Sequence, residues 1–236
     1  MFRLEDLERA IYWRNAIDLE RYPSRSFSYS DGIIKYHFIY NQIINYSLKK
    51  QSRILDIGSG DSQFSRYISD LGHQVLAIDI LDQNQINNIS RLSPRYYLNI
   101  LRLKLLSKRN PNFKFKKMNF EDLCETNKFD VVYDSCSLIH MAKKTLDFKK
   151  LLVKVKNHIA PGGFFIMVCD VSFNGISFEN EFYSENELGS LIESTGFKRI
   201  NTCNDSQSPF FYFGHTLYEN KPLVLGITGF VLQSNL

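Results

Sequence analysis

The stretch RILDIGSGDSQFSRYISDLGHQVLAIDI, residues 53–80, decides how this chain folds. It begins with three apolar residues, Ile54, Leu55 and Ile57, which are typical of a strand buried on both faces of a parallel sheet. Gly58 and Gly60 follow at once, and glycine lets a backbone turn sharply and approach a ligand closely. Apolar residues then recur at helical spacing, so the turn is predicted to open a helix whose first N–H groups face outward.

A second apolar strand, Val75 to Ile78, ends at Asp79. Strand, glycine turn, helix and strand form half of a nucleotide-binding βαβ unit, in which an acid at the second strand's tip binds ribose hydroxyls. A dinucleotide-binding turn has a third glycine beside the pyrophosphate, and here that position is Gln63. Asp56 would repel a pyrophosphate and suits a ligand with a positive group. The stretch therefore favours a nucleotide ligand other than NAD.

The run Asp56-Ile57-Gly58-Ser59-Gly60-Asp61-Ser62 resembles the first motif of class I S-adenosylmethionine (SAM) dependent methyltransferases, an acid followed by G-x-G-x-G. The motif usually has a third glycine where this chain has Ser62. The resemblance extends from about residue 33 to the C-terminus. It implies an α/β, Rossmann-like fold: a mostly parallel seven-stranded sheet with helices on both faces and an N-terminal helical lid. It also implies SAM as the cofactor, released as S-adenosylhomocysteine.

The chain has 236 residues, of which 44% are hydrophobic, enough for one compact α/β unit. We expect residues 1–49 to form the helical lid and residues 50–236 the SAM-binding methyltransferase domain, with a basic helical insertion at about 83–112. Aromatic residues are dense near the N-terminus and fit a lid over the acceptor, although packing of the helices onto the sheet would explain them as well. They are Tyr12, Trp13, Tyr22, Phe27 and Tyr29.

The predicted cofactor site combines the first motif with two later strand tips. The resemblance implies that Asn119 and Phe120, after the third strand, lie at the adenine edge, where an amide oxygen accepts from the amino group. Asp134 and Ser135 end the fourth strand, beside the ligand crevice. The full predicted set is Asp56, Gly58, Gly60, Asp79, Ile80, Asn119, Phe120, Asp134 and Ser135.

His140 is the candidate catalytic residue. It follows the fourth strand in the sequence SLIHM, a placement seen in many small-molecule members of the family. A hydroxyl acceptor needs a general base, whereas an amine needs only its lone pair. His215 is the second choice, and a structural histidine is the alternative for either residue.

The segment from Gln83 to Phe120 contains no acidic residue. Pro94 is predicted to start a helix there, with Leu98, Leu101 and Leu105 on its buried side. The cations would attract an anionic acceptor, a membrane surface or RNA, or would form a solvated helix face. They are Arg91, Arg95, Arg102, Lys104, Lys108, Arg109, Lys114, Lys116 and Lys117.

The leading hypothesis is methyl transfer to oxygen or nitrogen of a small polar metabolite, such as a sugar or a natural-product precursor. An RNA or protein methyltransferase that docks through residues 91–117, and a SAM-binding protein without catalysis, are the alternatives. Enzymes that methylate amines of DNA bases have a double-proline motif where this chain has Asp134-Ser135-Cys136-Ser137, so that class is disfavoured. The oligomeric state stays open, with a homodimer among the options.

Net charge and cysteine spacing limit the possible ligands and the cellular location of the protein. The net charge of +4 is too small to indicate nucleic-acid binding by itself. The cysteines, Cys124, Cys136, Cys169 and Cys203, lack metal-ligand spacing, so we expect no metal site and reduced core thiols in a cytoplasmic protein. We also expect no signal peptide and no membrane span.

Overall fold

The computed structural model describes residues 4–22, 30–46, 51–80, 94–142, 144–172, 183–204, 212–213 and 224–234. The helices are α1 Leu4–Ala16, α2 Ser30–Tyr46, α3 Phe64–Asp70, α4 Pro94–Arg109, α5 Ser137–Met141, α6 Thr145–His158 and α7 Glu185–Glu193. The strands are β1 Arg53–Ile57, β2 Gln74–Asp79, β3 Phe113–Lys117, β4 Phe129–Ser135, β5 Ile159–Ser172, β6 Phe197–Asn204, β7 Tyr212–Phe213 and β8 Val224–Ser234.

One twisted sheet runs through the molecule, in the order β3-β2-β1-β4-β5-β8-β6. The first five strands of this order pair in parallel, and β8 pairs antiparallel with both β5 and β6. The prediction of a Rossmann-like, mostly parallel seven-stranded sheet is therefore confirmed. The two-residue strand β7, which pairs with β8, adds to it within the aromatic segment that sequence analysis left unassigned.

Helices cover the two faces of the sheet because residues in the parallel strands are apolar on both sides. In β1, Ile54 belongs to the core formed with α1 to α4, and Leu55 to the core formed with α5 to α7. Both side chains are 0% exposed. Parallel strands place their carboxyl ends at one edge of the sheet, so the tips of β1, β2 and β4 share that edge.

The N-terminal helices pack against α3 through aromatic rings. The ring centroids of Trp13 and Phe64 lie 6.4 Å apart, and those of Tyr22 and Tyr67 lie 5.3 Å apart. Tyr12 is 80% exposed. Phe27 and Tyr29 lie outside the described residues. Trp13 and Tyr22 therefore pack the N-terminal segment against α3.

The prediction that Leu98, Leu101 and Leu105 form the buried side of α4 is wrong. These side chains are 55%, 52% and 45% exposed, whereas Ile100 and Leu103 are 7% and 0% exposed. The helix carries apolar residues on two opposite sides, and periodicity alone does not say which side meets the sheet.

A polar contact accompanies the buried side of α4. Asn99, 1% exposed, donates from Nδ2 to Oδ2 of Asp61 over 3.1 Å. Its carbonyl oxygen lies 3.5 Å from Nε2 of Gln63. Both partners belong to the turn after β1, so the inner side of α4 is fixed to the first motif.

Two further local predictions have clear outcomes. The sequence Ser184-Glu185-Asn186-Glu187 predicts a capping box, and Ser184 and Glu187 form it at the start of α7. Cys124 is exposed, so the expectation of core thiols is wrong for that residue, while Cys169 is buried. Among the described residues, no helix is long and apolar enough to cross a membrane.

Candidate active site

The turn after β1 is bound to the tip of β2. The N–H groups of Gly58 and Ser59 donate to the Ile78 carbonyl over 2.9 and 3.1 Å. The N–H of Gly60 donates to Oδ2 of Asp79 over 2.8 Å. The carboxylate that sequence analysis assigned to a ribose is therefore held in one orientation by the glycine turn beside it.

Both motif glycines have a conformation that other residues rarely adopt. Their φ angles are +70° at Gly58 and +57° at Gly60. A Cβ added at Gly58 would stand 2.0 Å from Oγ of Ser137, whereas one added at Gly60 would meet no atom within 4 Å. Gly58 is thus in contact with the loop after β4, and Gly60 borders open space where a ligand can approach the backbone.

Ser62, which replaces the usual third glycine, is compatible with the turn. Its N–H donates to the Ser59 carbonyl over 3.1 Å, and its Oγ accepts from the Phe64 N–H over 3.2 Å. Among the described non-glycine residues only Cys136 has a positive φ, so Ser62 has an ordinary backbone conformation. The departure from the motif therefore preserves the turn and supplies an acceptor for the first N–H of α3.

Asp56 lies beneath the turn and is 4% exposed. Its Oδ2 accepts from Oγ of Ser65 over 2.5 Å, and that Oγ lies 2.6 Å from the hydroxyl of Tyr133. Burial raises the pKa of the Asp56 carboxyl to about 7, although the hydrogen bonds from Ser65 and Tyr133 lower it in part. A cation near this carboxyl would favour its ionised form.

Asp134, at the tip of β4, organises the next loop. Its Oδ1 accepts from the N–H groups of Ser137 and Leu138 over 2.9 and 3.1 Å. Burial raises the pKa of this carboxyl to about 8. Cys136 takes a left-handed conformation between the strand and α5, with a φ of 66°. Asp134 therefore fixes the loop that contains Ser135 and contacts Gly58.

The predicted adenine edge lies beside Asp79. The N–H of Met118 donates to the Asp79 carbonyl over 2.9 Å, which places the next residue, Asn119, near the tip of β2. Asn119 caps a 3₁₀ turn by accepting the Glu121 N–H over 3.2 Å. Phe120 is buried, and its ring lies 5.9 Å from the His158 ring. Ile80 follows β2 directly and is half-buried.

Buried polar atoms around the turn lack hydrogen-bond partners among the described residues. They are Oγ of Ser59, Oε1 of Gln63 and Oδ2 of Asp134. Such atoms are costly unless a ligand or water satisfies them. The oriented Asp79 carboxylate, the open side of Gly60 and these atoms offer hydrogen bonds to the hydroxyls and charged amino-acid portion of SAM. The residues present thus fit that cofactor.

His140 and an ion pair lie beyond the tip of β4. His140 is exposed on α5, directly after the β4 loop. Nζ of Lys35 lies 2.9 Å from Oδ1 of Asp170, and the Lys35 side chain is only 10% exposed. Burial raises the pKa of the neighbouring Cys136 thiol to about 12, so it is not a thiolate nucleophile at neutral pH. His215 lies outside the described residues.

Sequence reasoning did not find Ser137, Ser65 or the Lys35–Asp170 pair. Ser137 and Ser65 are small polar residues that belong to no recognisable motif. The Lys35–Asp170 pair joins α2 to β5 across 135 positions of sequence. Among the described residues, no group of three or more His, Cys, Asp or Glu side chains is arranged to hold a metal ion.

Residues 55–167 match the family model of a methyltransferase domain. None of the curated proteins matches the sequence significantly. Many solved structures resemble the fold at low sequence identity, among them the following three.

One is an S-adenosylmethionine-dependent methyltransferase from Clostridium acetobutylicum, with 12% identity, a TM-score of 0.56, and coverage of 98% of this chain and 99% of that one. The glycopeptide N-methyltransferase MtfA, complexed with SAM, has 13% identity, a TM-score of 0.53, and coverage of 80% and 91%. The [4+2]-cyclase SpnF has 15% identity, a TM-score of 0.62, and coverage of 84% and 80%.

The domain match, the sheet order and the glycine turn bound to Asp79 lead to one class of protein. The chain contains a methyltransferase domain with a class I, Rossmann-like fold. It is an enzyme that uses SAM as its cofactor.

Proposed function

We propose that the enzyme transfers the methyl group of SAM to oxygen or nitrogen of a small polar metabolite. The observation that carries the proposal is the hydrogen bond from Gly60 to Asp79 at the shared edge of β1 and β2. It orients a carboxylate toward ribose before any ligand binds, which reduces the cost of binding.

In this proposal, nine residues hold the cofactor, and the role of each follows from its position at the glycine turn or at a strand tip. Asp79 and Ile80 contact the ribose, and Asn119 and Phe120 the adenine. Gly58 and Gly60 let the backbone approach the ligand. The buried acids act on the charged end: Asp56 becomes ionised beside it, and Asp134 with Ser135 lines the loop after β4. SAM supplies a methyl group that its sulfonium already activates.

Two features support a small polar acceptor. The Lys35–Asp170 ion pair places two charged, largely buried side chains near the carboxyl end of β5. Because Lys35 belongs to α2, this N-terminal helix reaches the same edge, as a lid over the acceptor would. MtfA, of similar fold, is an N-methyltransferase acting on a glycopeptide. The enzyme would hold the acceptor in line with the S–CH₃ bond, within roughly 3–3.5 Å.

His140 is proposed as the general base for a hydroxyl acceptor. It lies on α5, whose start is fixed by Asp134 and Ser137 next to the cofactor turn. Its exposure would let an acceptor reach the imidazole from solvent. An amine acceptor would bind as the free base and need no proton transfer to the protein.

The proposal is tested by incubating the protein with SAM labelled in its methyl group and with panels of small amines, sugars and phenols. S-Adenosylhomocysteine should form in the presence of at least one small acceptor, and the label should move to it. Transfer only to RNA or protein would replace the proposed substrate class.

SpnF, a cyclase with the same fold, favours one further candidate, a SAM-binding protein that does not transfer methyl groups. Saturable SAM binding without any S-adenosylhomocysteine formation would support that candidate. The Asp79→Ala variant distinguishes it from a failed assay, because only a protein that binds SAM at this site loses binding in the variant.

A further inference from the structure

The outward side of α4 is apolar and exposed to solvent. Leu98, Leu101 and Leu105 are between 45% and 55% exposed, and we call them the apolar stripe. At 3.6 residues per turn they lie within about 60° of one line along the helix, opposite the buried Ile100–Leu103 side. A helix that shows large apolar side chains on the side away from its own core presents a surface for something else.

Cations border the apolar stripe on both sides. By helical geometry Arg102 and Arg109 lie along one border, and Lys104 and Lys108 along the other. All four are exposed. The helix PRYYLNILRLKLLSKR has no acidic residue. Apolar side chains flanked by two cationic rows are typical of a helix that lies in the plane of a membrane surface.

An arginine-rich cleft of about 370 Å³ adjoins the arginine border. Arg102 and Arg109 line it together with Arg21 and Arg66, and Glu20 is the one acidic residue in its lining. Arg21 is paired with Asp70 over 2.8 Å. Neither Arg102 nor Arg109 forms an ion pair with a described carboxylate, so their guanidinium groups remain available to a phosphate, which they bind in bidentate geometry.

We propose that the outward side of α4 docks on the surface of an anionic phospholipid bilayer. The apolar stripe enters the boundary between head groups and acyl chains, the lysine and arginine borders meet the phosphates, and the cleft receives a head group. Long basic side chains suit this position because their stems are apolar and their charged ends reach the head groups.

Other occupants satisfy fewer of these features. RNA would engage the cations but would leave the leucines in water. A second copy of the chain, paired through α4 about a two-fold axis, would bring cationic borders against each other. The bilayer alone is complementary to both the stripe and its two borders.

The test is co-sedimentation of the protein with vesicles, either of phosphatidylcholine or of equal parts phosphatidylcholine and phosphatidylglycerol. We expect binding to the anionic vesicles only, and weaker binding in high salt. Replacing one cation of each border, Arg102→Gln with Lys104→Gln, should weaken binding roughly 30-fold, since each cation near such a surface contributes about fivefold. Replacing Leu98→Ser with Leu101→Ser should weaken it at least about tenfold.

The matched control is Leu146→Ser with Lys150→Gln on α6, where Leu146 is 63% exposed. This variant should bind vesicles like the wild type. SAM titration on every variant checks the fold, because none of the changed residues belongs to the cofactor turn.

Each contrary outcome overturns the proposal. Absence of binding to anionic vesicles, or equal loss in the α6 control, would contradict docking through α4. Binding of a single-stranded RNA oligonucleotide without vesicle binding would assign the surface to nucleic acid. Concentration-dependent dimerisation abolished by Leu98→Ser with Leu101→Ser, again without vesicle binding, would assign it to a second copy.

Discussion

The backbone N–H of Gly60 donates a 2.8 Å hydrogen bond to the carboxylate of Asp79. The bond joins the glycine turn to the tip of the next strand, the two parts of the βαβ unit that meet a nucleotide ligand. Because Gly60 also borders open space, one residue both exposes backbone to the ligand and orients the acid. The glycine turn and Asp79, which we propose as part of the cofactor site, are therefore held in place before a ligand arrives.

Replacing Asp79 with Ala should weaken SAM binding at least about tenfold, because a hydrogen bond to a charged group is worth roughly 1.5–3 kcal/mol. Asp79→Asn keeps an acceptor for the Gly60 N–H and should be affected less. Calorimetric titration measures both. Asp147→Ala is the control, because Asp147 lies on α6 and pairs only loosely with Lys150 at 3.5 Å. Equal affinity in Asp79→Ala and Asp147→Ala would contradict the assignment of Asp79.

Gly58→Ala and Gly60→Ala should differ in stability although both positions have positive φ. The conformational cost is roughly 1–2 kcal/mol at either site. At Gly58 the new Cβ would also collide with Ser137, 2.0 Å away, which adds roughly 1–3 kcal/mol. Urea denaturation measures the free energy of unfolding.

Ser137→Gly provides the control for that contact. Combined with Gly58→Ala it should give less destabilisation than the sum of the single variants, since it removes the colliding atoms. Additive effects would show that Gly58 and Ser137 do not collide.

The stability of the ligand-free protein should contain a component that decreases as pH rises from about 5 to 8. Burial raises the pKa values of Asp56 and Asp134 from 3.8 to about 7 and about 8, so the folded state binds protons that the unfolded state has released. That stability is complete below the unfolded pKa and is lost as pH passes the folded pKa. The slope is about 1.4 kcal/mol per pH unit for each group.

Unfolding measured across this pH range in Asp56→Asn and Asp134→Asn tests the assignment. Each variant should show a shallower decrease than the wild type, because its amide does not titrate. The Asp147→Asn variant should follow the wild-type curve. Parallel curves for all four proteins would contradict the raised pKa values.

His140→Ala should distinguish the two acceptor classes. With a hydroxyl acceptor the maximal rate should decrease roughly 10²–10⁴-fold, the usual contribution of a positioned base. With an amine acceptor the rate should stay within about threefold of wild type, because no proton passes to the protein. SAM affinity, measured by calorimetry, should be unchanged in both cases. A large rate loss accompanied by an equal loss of SAM affinity would mean that His140 supports the cofactor loop.

Short-range patterns predicted much of the fold. The glycine turn and the Ser184 capping box depend on residues a few positions apart, and both are present. The buried side of α4 was predicted wrongly because both its outward and its inward sides carry apolar residues at helical spacing, and because a polar residue, Asn99, faces inward to bind Asp61.

Contacts between distant segments were not predictable. Ser65 meets Tyr133 across 68 positions, and together they surround Asp56. Sequence analysis assigned Asp56 to a positive ligand group, but a single sequence does not show that helix α3 and strand β4 bury the carboxyl. The resulting increase in its pKa is a property of the assembled sheet.

Calorimetric titration of the wild-type protein with SAM, and separately with NAD, tests the central assignment most directly. The structure predicts one saturable site for SAM, lost in Asp79→Ala. It predicts weaker or absent binding of NAD, because Gln63 stands where a dinucleotide-binding turn has its third glycine. Tighter binding of NAD than of SAM, or no binding of SAM, would contradict the account.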